Sequence, residues 1–354
     1  MAIFAKAMYK PQRHGALVLM RIYLSSGHFY PAWRYGVAAH VIHDRLARGL
    51  AELGHEVRYH LEDFPPEPLP YGIIPVGSLR GDEDIIHANR FTADVTPLVQ
   101  RPWVRSVHSD LLDQDLPRER ARPNFIFVSE TMARLHGSDR FVWNGIDPAD
   151  FIYSETKDDY FLFVVSGDVH KARTRKGLDV AFWIAQQTGI KLVVAGGTDD
   201  PDDVAEFSEL CQANDAEFIG LIHGELKAET FAAAQALLFP TQMNEAFGLP
   251  VAEALMSGTP VIASNFGAMP ELLDPLGGFV CADQAEYMGA VENIGQIKAS
   301  DCRRLALERF HYLDMARNYV KEYEREIESW SNLQCHNSSS ASWSRNAASA
   351  QSSR

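Results

Sequence analysis

Cysteine is scarce in this 354-residue chain: Cys211, Cys281, Cys302 and Cys335 include no close pair and no metal-ligand spacing. That argues against a disulfide framework and points to a reducing cytoplasm. Positive charge is also in deficit. Thirty-three Lys and Arg face 47 Asp and Glu, for a net charge of −14 and a pI near 5.4. This balance argues against a nucleic-acid or strongly anionic-membrane binder, so an anionic ligand must be held by local cations. Long apolar runs are missing too. Segment 15–25 is too short to cross a bilayer, is interrupted by Arg21, and lacks the small-residue cleavage site of a signal peptide. It reads as a first buried strand. No Gly-x-Gly-x-x-Gly follows the first strand of either half, which disfavours a nicotinamide-dependent dehydrogenase.

What is present is a soluble α/β composition, 46% hydrophobic and 10% aromatic, long enough for two full cores. Val37, Val41, Leu46, Leu50 and Leu53 recur at helical spacing up to Gly54. Short apolar strands follow at 84–87, 103–107 and 124–128, separated by helices and loops as in a parallel sheet. The prolines of 64–70 mark a surface loop. A polar segment at 151–159 separates this series from a second one. That series has a strand at 160–165, helix 177–188, strand 190–195, a helix after Pro201, a strand at 217–219 and helix 226–235. The acidic run Asp199 to Asp203 reads as a helix start. Residues 332–354 are rich in Ser, Ala and Asn without a periodic apolar face, and composition predicts a disordered tail there.

The most informative stretch is 240–264. Glu245 and Glu253 stand eight positions apart around Phe247-Gly248-Leu249. Pro250 suits the first position of a helix, which would place Glu253 in its first turn; Gly258 can close it in a left-handed conformation, and Val261-Ile262-Ala263 reads as the next buried strand. Such a helix points unpaired N–H groups out of the loop, ready for an anion. A carboxylate beside a diphosphate is a poor charge partner but a good acceptor for a pair of sugar hydroxyls. The pattern suggests a sugar-nucleotide site.

Glu245-x7-Glu253 with Phe247-Gly248-Leu249 resembles the signature of the retaining GT-B glycosyltransferases of family 4 (glycosyl transferases group 1). So do Tyr30-Pro31 with Gly36-Val37, Leu50 to Val57, Val128-Ser129-Glu130, Asn144-Gly145-Ile146-Asp147, and Phe266 to Glu271, in the family's order. The resemblance implies an α/β GT-B fold, two Rossmann-like domains facing across a central cleft. Residues 1–150 would form the acceptor-binding domain and 151–312 the nucleotide-sugar donor domain. A helix at 313–331 would cross back onto the first domain, with the tail at 332–354.

The implied activity is retaining transfer of a sugar from a nucleotide-diphosphate donor to a hydroxyl acceptor: a glycan, a lipid-linked group or a small molecule. Two alternatives stay open: a sugar-nucleotide-binding protein that has lost activity, and a GT-B phosphorylase. Lys176, followed by Gly177, stands where the family binds phosphate. Lys171, Arg173 and Arg175 complete the candidates for the diphosphate in this loop, with Lys171 or Arg173 as the second cation, because Gly167-Asp168 replaces the family's Gly-Arg. Glu253 would accept from the ribose hydroxyls and Glu245 from the donor sugar or its developing charge. Backbone N–H groups of Phe247, Gly248 and Leu249 would reach sugar and diphosphate, His108 the sugar from the first domain, and Gly36 would let backbone approach the ligand. His87 reads as structural. Asp113-Gln114-Asp115 mimics the Asp-x-Asp metal motif of the other glycosyltransferase fold, but lies away from the predicted donor loop. No essential metal and no cofactor beyond the sugar nucleotide are expected, and no nucleic-acid partner. A lipid acceptor would bring a peripheral contact with the inner face of a membrane.

Overall fold

The computed structural model describes residues 19–25, 30, 38–89, 101–113 and 120–351. Its first half runs β1 (Arg21–Ser25), α1 (Ala38–Glu52), β2 (Glu56–His60), β3 (Ile74–Val76), β4 (Ile85–Ala88), β5 (Trp103–Val107), β6 (Phe125–Phe127) and α2 (Glu130–Leu135). The second half begins β7 (Phe161–Ser166), α3 (Val169–Thr174), α4 (Leu178–Thr188), β8 (Leu192–Gly197), α5 (Pro201–Ala213), β9 (Ala216–Phe218) and α6 (Gly224–Ala233). It continues with β10 (Ala236–Phe239), α7 (Leu249–Met256), β11 (Val261–Ser264), α8 (Met269–Leu272), β12 (Gly278–Cys281), α9 (Gln284–Asn293), α10 (Ala299–Arg309) and α11 (Tyr312–Gln351).

Two six-stranded parallel sheets result, ordered β3-β2-β1-β4-β5-β6 and β12-β11-β10-β7-β8-β9. The strands read as short unbroken apolar runs because helices cover both faces of each sheet; β4, β6, β8, β10 and β11 are buried along their whole length. Both sheets have the doubly wound Rossmann order. Each therefore has one point where the chain direction reverses, between β1 and β4 in the first and between β7 and β10 in the second. Ligands of such sheets sit beyond the carboxyl ends of the strands at that reversal. The loops 167–177 after β7 and 240–248 after β10 meet this condition.

The last helix crosses back onto the first domain. Tyr312, Met315, Ala316, Tyr319, Val320 and Tyr323 share one buried cluster with Ile22, Leu24, Ile42, Leu46 and Leu50. Polar contacts fix its register: Tyr319 Oη lies 2.8 Å from Ser106 Oγ, Tyr323 Oη 2.6 Å from His87 Nδ1, and Arg140 binds Glu322 and Glu326 at 2.6 and 2.7 Å. His87, buried between Tyr323 and Ser106, has the structural role its sequence context suggested. The helix also runs on to Gln351, through the segment that composition assigned to a disordered tail. Residues 313–351 contain no Gly or Pro to stop it. Once its first turns are packed, each further residue adds a hydrogen bond without a new nucleation cost.

The loop after β7 is not the plain loop expected. Asp168 accepts from the Lys171 backbone N–H at 2.7 Å and so caps α3, a six-residue helix that absorbs the extra length before Lys176. The chain then enters α4 through Gly177 at φ +81°, where a Cβ would lie 1.9 Å from the carbonyl oxygen of Pro240. Only glycine fits both demands. Gly177→Ala should therefore destabilise the protein by at least about 1–3 kcal/mol, the usual cost of forced overpacking. Its thermal midpoint should fall by several degrees; an unchanged midpoint would mean that the 175–177 and 240–242 loops can part freely.

Candidate functional site

The two loops at the second sheet's reversal are clasped by their backbones. Gln242 N–H donates to the Arg175 carbonyl at 2.8 Å, and Thr241 Oγ1 to the same oxygen at 3.3 Å. Behind Glu245, Gly267 at φ +58° leaves so little space that a Cβ would fall 2.3 Å from both the N and the O of Glu245. Ala268 N–H donates to that same oxygen at 2.9 Å. Thus the position of Glu245 is set by main chain, before any side-chain contact.

The side chains then pair. Lys176 Nζ lies 2.6 Å from Glu245 Oε2, with both groups about five-sixths buried. Lys227 Nζ on α6 lies 2.7 Å from Oε1 of Glu253, whose side chain is only 6% exposed. Lys171 joins the basic cluster: burial, then the charges of Lys176 and Arg175, lowers its pKa. Arg173 does not join; its guanidinium binds Asp179 at 2.9 Å on the exposed side of the loop. Of the two candidates for a second cation, Lys171 is the one held next to Lys176, whose backbone N–H donates to the Lys171 carbonyl at 3.1 Å.

Helix α7 opens at Leu249 behind Gly248, which caps it at φ +82°, and Pro250 is its second residue. Glu253 is the fifth residue, so it lies in the second turn and not in the first, on the buried side among Val251, Ala252, Ala254 and Leu255. Gly258 takes the left-handed conformation expected after the helix. Phe247 packs edge-on to Phe310 with ring centroids 5.5 Å apart, fixing the turn. Among the described residues, the N–H groups of Phe247, Gly248 and Leu249 donate to no backbone acceptor, leaving the positive end of α7 beside Lys176 and Glu245.

The first domain closes over these loops from the other side. Asp110 Oδ2 accepts from Asn244 Nδ2 at 3.1 Å, and its Oδ1 lies 3.0 Å from His136 Nε2. Asp113 forms an ion pair with Arg175. That contact corrects the sequence expectation: the first residue of the Asp-x-Asp pattern lies against the loop after β7 and not away from it; Gln114 and Asp115 lie outside the described residues, as does Gly36. His108 follows β5 immediately, and its Nε2 is buried with no hydrogen-bond partner among the described residues. Burial, with minor help from His40 and Arg105, pushes its pKa down to about 4, so the ring is neutral at physiological pH. Further back, Glu271 of α8 accepts from the backbone N–H groups of Glu130 and Thr131 at 2.8 Å each, from Thr131 Oγ1 at 2.7 Å and from Trp143 Nε1 at 2.5 Å. One carboxylate thereby caps α2 and ties the second domain to the first.

Sequence reading missed Lys227, Asp110 and Asn244. Lys227 sits in an unremarkable helix, and only its approach to Glu253 marks it. A cavity of 490 Å³ opens at the amino ends of β7, β8 and β9, lined by Asp158, Tyr160, Lys191 and Glu217. It lies at the edge of the sheet opposite to every residue of the motif.

Residues 149–309 match the family described as glycosyl transferases group 1. The chain is 27% identical over 206 residues to the O-antigen chain mannosyltransferase of Salmonella typhimurium, covering 56% of this chain and 53% of that protein. It is 25% identical over 342 residues to the phosphatidyl-myo-inositol mannosyltransferase of Mycolicibacterium smegmatis, covering 79% and 86%. The fold superposes with a TM-score of 0.64 on Anabaena HepE, solved with UDP-glucose, at 16% identity and over 86% of this chain and 98% of that one. No helix among the described residues is long and apolar enough to cross a membrane.

Two outcomes are expected from this geometry. Glu271→Gln should destabilise the protein by roughly 1–3 kcal/mol, because an amide cannot accept from four donors at once; a urea midpoint equal to wild type would contradict the tie. The second concerns His43, His87 and His108, all held well below the ordinary histidine pKa by burial, His87 at about 3 and His108 at about 4. Between pH 6.5 and about 4 the unfolded chain binds protons that the folded chain does not, so stability falls as pH drops through that window. The thermal midpoint should already decline between pH 7 and pH 5, above most carboxylate titration; a flat profile there would contradict the burial.

Proposed function

We propose that this chain, whose residues 149–309 match glycosyl transferases group 1, is a retaining hexosyltransferase that moves a sugar from a nucleoside-diphosphate donor to a hydroxyl acceptor. The observation that carries the reading is the Lys176–Glu245 pair, buried at the chain reversal of the second sheet beside the open end of α7. Transfer breaks the bond from the anomeric carbon to the β-phosphate oxygen and makes one to the acceptor oxygen. The acceptor's proton leaves with a departing phosphate oxygen. The transition state is oxocarbenium-like, so the main demand is stabilisation of the leaving diphosphate.

In this reading Lys176, with Lys171 beside it, holds the diphosphate together with the N–H groups of Phe247, Gly248 and Leu249. Glu253 accepts from the ribose hydroxyls. Glu245, which fixes the Lys176 ammonium, accepts from sugar hydroxyls and faces the developing positive charge. The neutral His108 reaches the sugar from the first domain, whose loops receive the acceptor, and Gly36 lets backbone approach the donor. The mannosyltransferase relatives and the UDP-glucose of HepE support a hexose on a nucleoside diphosphate. Retention is supported by the family resemblance. The charge for the leaving group comes from lysines, so turnover should survive chelation of divalent ions.

Calorimetric titration with UDP, GDP, ADP and dTDP tests the reading. One nucleotide should bind at micromolar concentration and be lost in Glu253→Ala; no binding by any of them would overturn it. Lys176→Ala should lower kcat by about 10²–10³, the usual cost of removing one transition-state donor, and affect nucleotide affinity less. A loss of nucleotide affinity with kcat unchanged would assign Lys176 to ground-state binding.

A further inference from the structure

Lys227 belongs to no motif, yet it holds the most deeply buried carboxylate of the site. Its Nζ lies 2.7 Å from Glu253 Oε1, and 5.8 Å from the ring centre of Phe231 one helical turn further along α6. Glu253 itself comes from α7, so two helices meet through this ion pair. A carboxylate at 6% exposure is costly to leave unpaired, and Lys227 supplies the partner. A carboxylate offers about four lone-pair directions. Lys227 takes one on Oε1, and among the described residues Oε2 accepts from no protein donor, which leaves it for a ligand. Two adjacent acceptors in a fixed plane match two vicinal hydroxyls.

Resting on the sugar-nucleotide reading above, we propose that Lys227 is a positioning residue that makes Glu253 select a ribonucleotide donor. The ammonium holds the carboxylate in one rotamer, and a 2′-deoxyribose then leaves one of its acceptors unmatched. The alternative, a lysine that only neutralises a buried acid, would affect stability without affecting the choice of sugar.

The experiment is calorimetric titration of the full chain with UDP and 2′-deoxy-UDP, or with the corresponding pair for whichever base binds. It is made on wild type, Lys227→Met and Lys227→Arg. Wild type should prefer the ribonucleotide by about 10–100-fold, the range for one hydrogen bond to a charged group. Lys227→Met should reduce that preference to within about threefold, as one acceptor's discrimination is lost, and Lys227→Arg should restore most of it. A folded Lys227→Met that keeps the wild-type ratio overturns the proposal, as does a wild type without preference. If the methionine variant does not fold, Lys227→Gln replaces it, and an unchanged ratio counts in the same way. A wild type that binds no nucleotide would instead bring down the sugar-nucleotide reading, and this proposal with it.

Discussion

Two backbone contacts without room for a Cβ hold this site together. Gly177 lies against the Pro240 carbonyl, and Gly267 against the main chain of Glu245. The first draws the loop after β7 onto the loop after β10. The second presses the latter from behind. With both loops fixed by main chain, the long side chains of Lys176 and Glu245 have little choice but to meet, and their pairing follows from the fold. Tight backbone approach costs conformational freedom once, at glycine, and spares each catalytic side chain from having to define its own position.

The buried ion pairs are better understood as chemistry than as glue. Removing two charges from water can cost as much as their mutual attraction returns, so Lys176–Glu245 and Lys227–Glu253 are weak evidence for stability. Under the proposed function they keep the site's side chains paired and in place between turnovers. On that reading, a diphosphate arriving at Lys176 would meet an ammonium already buried and oriented, the form in which a cation stabilises a transition state most. The cross-cleft contacts Asn244–Asp110, Arg175–Asp113 and Glu271 with α2 join the same loops to the first domain. Any change in the separation of the domains is therefore felt at the donor loops.

Much of this was legible in the sequence. The strand at 103–107, the helix after Pro201 and the Glu245–Glu253 turn carry strong local signals: apolar runs, a proline at a helix start, glycines at a stop. The remainder was hidden for physical reasons. The helix α3 is six residues long and its cap, Asp168, stands where an arginine was sought, so a side chain committed to backbone looked like a missing cation. The three residues of β3 are too few to show a period. Lys227 and Glu253 are 26 positions apart and meet only because α6 packs beside α7. Arg173 and Lys171 could not be told apart until α3 turned one outward and the other toward Lys176. The continuation of α11 past residue 331 depends on the packed turns before it, which composition does not report.

Hydrogen exchange with and without the tightest-binding nucleoside diphosphate measures the central claim, that the ligand sits at the carboxyl ends of β7 and β10. The account predicts added protection in 175–178, in 244–256 and around Lys227, with the amino-end cavity at Asp158, Lys191 and Glu217 unchanged. Protection confined to that cavity, with the Lys176 and Glu245 loops unaffected, would contradict it.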